Sequence, residues 1–333
     1  MAQLYKSKVE VKVASMDRES IKKTEKKNFM KEVKRQKFLI FWSIIFVIYG
    51  VIFYYIPLAG WAIGFQDYKP KQQVNILKII TQGQYVGTKH FKYLFTSERF
   101  LKSVRNTFAM GSLKLLFTTV TAIAFAILLN EVRNLMAKKV VQTISYLPHF
   151  LSMVIVCGIF HDAFSSKGII NEVLTNTHIL KSSFAFWGAP KWFWGLIVFL
   201  NVWKETGWNA IIYLAAITSI DPNLYEAAAI DGAGRWGKIR HITLPSIRPT
   251  IIILLIINIG NIINAGFEEQ YMLRNGLVAQ VSDTIDVYIF VDCMKGFAYS
   301  RGVAAGIFKS LIAIALIVIA NTVAKKLGEE RIF

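Results

Sequence analysis

The chain has 333 residues, of which 54% are hydrophobic and 18% charged, and its formal net charge is +18. Soluble domains are nearer to about 25% charged, so this composition argues against an ordinary soluble fold and favours one membrane-embedded domain. The two cysteines, Cys157 and Cys293, supply neither a disulfide framework nor a cluster of metal ligands.

The positive charge is concentrated at the N-terminus. Residues 1–37 contain twelve Lys or Arg and five Asp or Glu. A basic flank beside a hydrophobic span orients that end towards the cytoplasm and attracts anionic lipid headgroups. The charge is accompanied by no nucleic-acid-binding module, so we expect no nucleic-acid partner. The apolar stretch Phe38–Leu58 exceeds a signal-peptide core of about 7–15 residues, which predicts a retained anchor.

Apolar stretches predict the fold class. A bilayer core of about 30 Å needs about 20 predominantly apolar residues in a helix. The fourth of six such stretches is the least apolar, because Lys204 and Glu205 lie near its middle. We therefore predict an all-α integral membrane protein with six transmembrane helices, at Phe38–Leu58, Val104–Leu129, Val140–Phe160, Trp192–Ile217, Ile247–Phe267 and Val303–Ala324.

An even number of spans places both termini on one side of the membrane. With Met1 in the cytoplasm, 21 Lys and Arg lie in inside segments and 13 in outside loops, as the positive-inside rule requires. The predicted organisation is a basic cytoplasmic segment over 1–37, a six-helix domain over 38–327 and a cytoplasmic tail over 328–333. The location is the cell (inner or cytoplasmic) membrane.

Residues 221–245 form the loop between the fourth and fifth spans, on the cytoplasmic side. Asp221 can cap a helix that has Pro222 at its first position. An Ala-rich run of good helix formers follows, and then Gly232 permits a sharp turn. A second helical piece is predicted to end at a break at Pro245. The small exposed side chains of this helix-turn-helix would let another protein approach closely.

Three segments of this loop resemble the EAA signature of permeases from ATP-binding-cassette importers. They are Glu226-Ala227-Ala228, Asp231-Gly232-Ala233 and Ile242-Thr243-Leu244-Pro245. The resemblance implies that the loop forms a coupling helix, which sits in a cleft of an ATPase subunit. The residues it assigns to coupling are Glu226, Ala227, Ala228, Asp231, Gly232, Ala233, Leu244 and Pro245.

Further segments are similar to LplB-type permeases of polysaccharide and oligosaccharide uptake systems. They are Tyr54–Gly60, Tyr146–Ser152, Gly168–Asn171 and Trp203–Asn209. This resemblance implies a MalFG-like fold, a second six-helix permease subunit and two ATPase subunits that carry ATP and Mg. It also implies an extracytoplasmic solute-binding lipoprotein that delivers a saccharide.

The chain itself has no recognisable catalytic site. Residues 232–239 nearly match the phosphate-binding loop G-x-x-x-x-G-K-[ST], but Ile239 lacks the hydroxyl that binds magnesium. The five histidines show no metal-ligand spacing. We therefore expect no catalytic residue, metal or cofactor on this chain, and we expect ATP hydrolysis on a partner.

Polar residues within the fourth and fifth spans are candidates for a substrate path, because such groups usually face the bundle or a wet cavity. Amides and carboxylates bind sugar hydroxyls, and aromatic rings cover the apolar faces of sugars. Alternatively, asparagines tie helices together, and Lys204 with Glu205 pairs with the second permease. The candidates are Asn201, Trp203, Glu205, Asn209 and Tyr213 on the fourth span and Asn258, Asn261 and Asn264 on the fifth.

Three other functions stay open at this point. The coupling loop alone also fits an importer for another small solute, such as an amino acid or phosphate, although the LplB-like segments favour a saccharide. A secondary transporter or channel would work without any ATPase. A membrane anchor or scaffold would not respond to a substrate.

Overall fold

The computed structural model describes residues 31–32, 35–69 and 83–326. The predicted tail 328–333 and most of the predicted segment 1–37 lie outside these residues. Within the described residues, the regular structure is helical apart from one β-bridge between Gln66 and Tyr85. The chain separates into two compact units, Met1–Trp61 and Ala62–Phe333.

The first unit is built on one apolar helix. Helix α1 (Lys37–Gly50) continues through a π-helical turn (Val51–Tyr55) into a 3₁₀ segment (Ile56–Phe65) that enters the second unit. Its large apolar side chains are exposed, as expected of a surface that faces lipid.

The second unit contains the remaining helices. Non-α turns interrupt several of them, at Leu147–Phe150, Ile239–Thr243 and Ile289–Met294. The helices are α2 (Lys89–Thr96), α3 (Glu98–Glu131), α4 (Leu135–Tyr146), α5 (Met153–Ala163), α6 (Ile169–Asn176), α7 (Pro190–Thr218), α8 (Pro222–Ile230), α9 (Arg235–Lys238), α10 (Leu244–Ile259), α11 (Phe267–Leu273), α12 (Ala279–Ser282), α13 (Ile285–Tyr288) and α14 (Tyr299–Lys326).

Four helical runs in the described part of the chain are long and apolar enough to cross a membrane. They are Lys37–Phe65, Glu98–Glu131, Arg235–Ile259 and Tyr299–Lys326, and a bent helix pair raises the number to five. Helix α7 has 29 residues but is not among them, in line with its charged centre at Lys204. The predicted all-α membrane protein is confirmed at this coarser level.

The predicted transmembrane helix over Val140–Phe160 is not one continuous helix. The runs Leu135–Phe150 and Met153–Ala163 meet at an angle of 101°. Leu151 has extended backbone (φ −74°, ψ 140°), and the Ser152 hydroxyl caps α5 by accepting from the Ile155 amide at 3.4 Å. An N-cap starts a new helix rather than continuing the old one, so the span is broken.

The predicted fifth span, Ile247–Phe267, has both ends misplaced. The helical run begins at Arg235 and ends at Ile259, after which a series of turns leads to Gly266 with φ +89°. The predicted break at Pro245 is also wrong. Pro245 lies in the first turn of α10, directly after the π-helical turn, where its missing N–H is tolerated.

Helices α3 and α7 form the centre of the second unit and pack along most of their length. Small side chains, Ala122 and Ala126 on α3 and Ala210 on α7, belong to one buried cluster and allow close approach. Polar pairs add interhelical hydrogen bonds. The Thr118 hydroxyl donates to Asn201 Oδ1 at 3.0 Å, and the hydroxyls of Thr121 and Thr206 lie 2.9 Å apart.

Two glycines permit the closest backbone contacts around this centre. A Cβ added at Gly111 on α3 would overlap the Ile262 carbonyl oxygen, and one added at Gly207 on α7 would overlap the Ser145 carbonyl oxygen. These glycines therefore let the turn after α10 and the end of α4 lie directly against the α3–α7 pair.

Replacement of Gly207 by Ala should destabilise the protein by about 1–3 kcal/mol, the usual cost of overpacking. The cause is that the Ser145 backbone must move. Gly195→Ala is the matched control, because Gly195 lies in the same helix and an added Cβ has nothing within 4 Å. Thermal unfolding of the purified full-length chain measures both variants, and equal unfolding temperatures would contradict the close contact.

Candidate functional site

A polar cavity of about 340 Å³ lies between α3, α7, α10 and the turn that follows α10. Seven of the eight residues predicted for a substrate path line it. They are Asn201, Glu205, Asn209 and Tyr213 from α7 and Asn258, Asn261 and Asn264 from α10 and the turn. Asn201, Glu205 and Asn209 share one face of α7, as their spacing predicts, whereas Asn261 and Asn264 lie in the turns beyond the end of α10 at Ile259.

Trp203, the eighth candidate, does not line this cavity. It is directed to another face of α7, where it packs against Phe160 with ring centroids 5.5 Å apart. There it lines a mostly apolar groove between α3, α4 and α7, together with Phe125, Ile144 and Pro148. Its helical position, two residues from both Asn201 and Glu205, explains the separation, because residues two apart do not share a face.

Several of the cavity amides are anchored by their nitrogens. Asn209 Nδ2 donates to the Glu205 carbonyl at 2.8 Å, and Asn258 Nδ2 donates to the Leu254 carbonyl at 2.9 Å. Each bond connects a side chain to its own helix one turn earlier. An amide oxygen held in this way can accept a hydrogen bond from a hydroxyl.

A buried ion pair that is not predicted from the sequence forms one wall of the cavity. The Lys114 ammonium, on α3, donates to the Glu269 carboxylate and to the Ala265 carbonyl oxygen, the latter at 2.6 Å. The side chains of Lys114 and Glu269 are 11% and 4% exposed. The available signal was Lys114 itself, the one charge away from the edge of the predicted span Val104–Leu129, whereas Glu269 lies in a predicted outside loop.

A second charged cluster lies across the cavity, around Glu205. Lys204 Nζ donates to the His149 carbonyl oxygen at 2.6 Å and lies 3.3 Å from Glu205 Oε1. Glu205 Oε2 lies 2.8 Å from His149 Nδ1, and the His149 ring stacks on Trp208 at 4.5 Å. Within this chain, Lys204 and Glu205 therefore lie beside each other and both contact His149.

The two clusters share one arrangement. In each, a buried lysine from the central α3–α7 pair donates to a backbone carbonyl next to a helix break and is paired with a glutamate that lines the cavity. Lys114 donates to a carbonyl at the break after α10, and Lys204 donates to a carbonyl at the break between α4 and α5. The cavity lies between these two supported breaks.

An ion-pair network joins the N-terminal end of α3 to the segment between α10 and α14. Arg99 contacts Asp283 at 3.2 Å and Asp292 at 2.7 Å, and Arg274 contacts Asp283 at 3.0 Å. Burial raises the pKa of Asp292, and the nearby Arg99 guanidinium opposes this rise. In the described part of the chain, no group of three or more His, Cys, Asp or Glu side chains could hold a metal ion.

The predicted coupling segment is a short capped helix followed by a turn. Asp221 Oδ1 accepts from the Asn223 amide at 2.9 Å and caps α8, which has Pro222 at its first position. Gly232 has φ +79°, so the turn requires a glycine. The predicted helix start and turn are thus present in the structure.

Most residues that the EAA resemblance assigned to coupling are accessible. Ala228, Ala233 and Leu244 are half-buried, and Leu244 packs on the buried α3–α7 cluster. Large apolar side chains missed by the sequence analysis, Ile230 and Trp236, are 87% and 72% exposed. The exposed assigned residues are Glu226, Ala227, Asp231, Gly232 and Pro245.

One hydrogen bond joins α8 to the helix that enters the bundle. The Tyr225 hydroxyl lies 3.0 Å from the Thr243 hydroxyl, and Thr243 is buried in the π-helical turn. A movement of α8 would therefore act on the run Arg235–Ile259, whose far end lines the cavity.

Comparisons with known proteins agree with this arrangement. A model of the family described as binding-protein-dependent transport system inner membrane component matches residues 108–329. Protein LplB of Bacillus subtilis (strain 168) is 40% identical over 92% of this chain and 94% of its own length. The polygalacturonan/rhamnogalacturonan transport system permease protein YteP of the same organism is 39% identical over 97% and 99%.

Solved structures give the same result. A crystal structure of a bacterial ABC transporter involved in the import of the acidic polysaccharide alginate contains a chain 37% identical to this one, with a TM-score of 0.80. The match covers 90% of this chain and 99% of that one. A second structure holds the alginate transporter in complex with an alginate pentasaccharide-bound periplasmic protein, and its matching chain has a TM-score of 0.81.

Removal of the Lys114 charge should destabilise the protein strongly, by about 3–5 kcal/mol, because Glu269 would remain buried without its partner. The test is thermal unfolding of Lys114→Met against the double variant Lys114→Met/Glu269→Met. The double variant should recover much of the loss, since it leaves no uncompensated charge. A double variant less stable than Lys114→Met would contradict a charge-compensating pair.

Proposed function

The chain belongs to the family of binding-protein-dependent transport system inner membrane components, and on that premise we propose its role in import. It is the permease subunit of an ATP-binding-cassette importer for a sugar polymer or oligosaccharide. The saccharide passes through the cavity between α3, α7 and α10. A second six-helix permease completes the path, and an extracytoplasmic binding lipoprotein delivers the saccharide.

The observation that carries this proposal is the lining of the cavity. Five asparagine amides and two glutamates, Glu205 and Glu269, converge on one space together with Tyr213. This is a surface of hydroxyl-binding groups with an aromatic ring beside them, which suits a saccharide better than an ion or an apolar solute. Relatives with 39% and 37% identity, the YteP permease and a chain of the alginate importer, serve polysaccharides.

In this proposal, ATP and Mg bind to two partner ATPase subunits. Residues 232–239 form a turn and a short helix in the structure rather than the strand–loop–helix of a phosphate-binding loop. The exposed surface around α8 supports a docking role, because Ile230 and Trp236 give a partner an apolar contact and Glu226 gives it a charge. We place this surface and both termini in the cytoplasm, with α7 as the fourth of six spans.

The mechanism follows from these links. Closure of the ATPases moves α8, the Tyr225–Thr243 bond passes this movement to the run Arg235–Ile259, and that run lines the cavity. The two helix breaks are where the bundle changes shape, because non-helical backbone bends more readily than a continuous helix. The saccharide is thereby exposed first to the outside and then to the cytoplasm.

A panel of saccharides tests the assigned substrate class. The complete importer is reconstituted in lipid with its binding protein, and ATP hydrolysis is measured with oligogalacturonides, alginate pentasaccharide, lactose and diacetylchitobiose, with an amino-acid mixture and phosphate as controls. At least one saccharide should stimulate hydrolysis and be taken up. Stimulation by an amino acid or phosphate alone, or uptake without any ATPase, would overturn the proposal.

Reversal of the charge on α8 should uncouple the importer. Glu226→Lys is expected to lower saccharide uptake about 5–150-fold, the usual range of a coupling free energy of 1–3 kcal/mol, while the complex still assembles. Glu172→Lys is the matched control, since Glu172 is equally an exposed helical glutamate but lies on α6. Uptake by Glu226→Lys equal to that of the control would count against docking at α8.

A further inference from the structure

The break between α4 and α5 is held by a single stretch of α7. The 3₁₀ turn Leu147–Phe150 is separated from Ser152, the N-cap of α5, by Leu151 alone. Its backbone carbonyls therefore lack helical partners. Lys204 satisfies one of them by donating to the His149 carbonyl oxygen at 2.6 Å. His149 is thus fixed through its backbone at the point where the span bends.

The His149 side chain is fixed by the same stretch. Its ring lies parallel to Trp208, with an interplanar angle of 1° and centroids 4.5 Å apart, and its Nδ1 is 2.8 Å from Glu205 Oε2. Three neighbouring residues of α7 therefore hold one residue of the break from three directions. Glu205 and Lys204 are the charged groups in contact with His149 in the described residues.

Glu205 also lines the cavity, and its side chain is 23% exposed. A carboxylate can accept about four hydrogen bonds. One oxygen of Glu205 faces His149 and the other faces Lys204, so each can still accept a hydrogen bond from a hydroxyl. A saccharide in the cavity and the histidine at the break would share one carboxylate.

We propose that Glu205 and His149 are positioning residues that relay occupancy of the cavity to the bend at Leu151–Ser152. A saccharide hydroxyl on Glu205 changes the hydrogen bonds that the carboxylate offers His149, and with them the favoured angle between α4 and α5. A ligand shifts a conformational equilibrium only if it binds the two states differently. The shared carboxylate supplies that difference. This inference rests on the proposed function of the cavity.

The first test separates relay from binding. In the reconstituted importer, with the most stimulating saccharide of the panel, His149→Phe keeps an aromatic ring beside Trp208 but lacks the nitrogen that faces Glu205. Maximal saccharide-stimulated ATP hydrolysis should fall at least about fivefold, within the range of measured couplings. The concentration of loaded binding protein that gives half-maximal stimulation should change little. His149→Gln, which retains an amide donor, should restore part of the stimulation.

A matched histidine provides the control. His161 also lies in the bent pair, 3.2 Å from the carboxylate of Asp162 and stacked near Trp187, but this carboxylate, unlike that of Glu205, does not line the cavity. His161→Phe should leave stimulation of ATP hydrolysis unchanged.

A second variant of His149 is measured in parallel. His149→Met has a different shape and likewise lacks a hydrogen-bond donor to Glu205. If either His149 variant fails to assemble, the other can still be compared with the unsubstituted importer.

The second test measures the bend. Spin labels at Leu135 on α4 and Ile159 on α5, both exposed, report the distance across the break in the whole complex. Loaded binding protein should change this distance in the unsubstituted chain but not in the His149→Phe or His149→Met variant. An unchanged distance in the unsubstituted chain, or an equal change in the variants, would overturn the relay. Absence of saccharide-stimulated hydrolysis in the unsubstituted importer would instead overturn the proposed function.

Discussion

A helix break inside a membrane protein leaves backbone carbonyls and amides that lipid cannot satisfy, and this constraint organises the second unit. Such backbone is tolerated only where protein or a wet cavity surrounds it. Lys114 meets the constraint at the break after α10, because its ammonium binds both the Ala265 carbonyl and Glu269. Gly111, one turn earlier on α3, lets the same turn lie directly against the helix.

Lys204 meets the same constraint at the other break. It donates to the His149 carbonyl and is neutralised by Glu205. Both lysines project from α3 and α7, whose close packing fixes their positions. The closely packed central pair therefore supports both breaks, and the polar cavity lies where these supports converge. The charges needed to hold the breaks are the same charges that shape the cavity, which links the stability of the bundle to its function.

The sequence alone predicted much of the cavity, because its lining depends on local periodicity. Asn201, Glu205 and Asn209 recur at helical spacing and share a face in any straight helix. Trp203 is an aromatic candidate without this spacing, and its angular position in α7 places it outside the cavity lining. The capped start of α8 is predictable for the same reason, since the effects of Asp221 and Pro222 on the helix are limited to their immediate neighbours in sequence.

The breaks and their supports were not predictable in the same way. An apolar stretch gives a hydropathy signal whether or not the helix is straight, so Val140–Phe160 and Ile247–Phe267 were drawn as simple spans. Contacts with lysines of other helices support both breaks, and Lys114 and Glu269 are 155 residues apart in the chain. The Tyr225–Thr243 bond depends on the same kind of tertiary proximity.

The passage of a saccharide through this cavity is tested most directly by an electron cryo-microscopy structure of the complete importer, trapped with a transported saccharide. We expect sugar density between α7 and α10, within hydrogen-bonding distance of Asn201, Glu205 or Asn258. Sugar density in the groove beside Trp203, or along a path that avoids this cavity altogether, would contradict it.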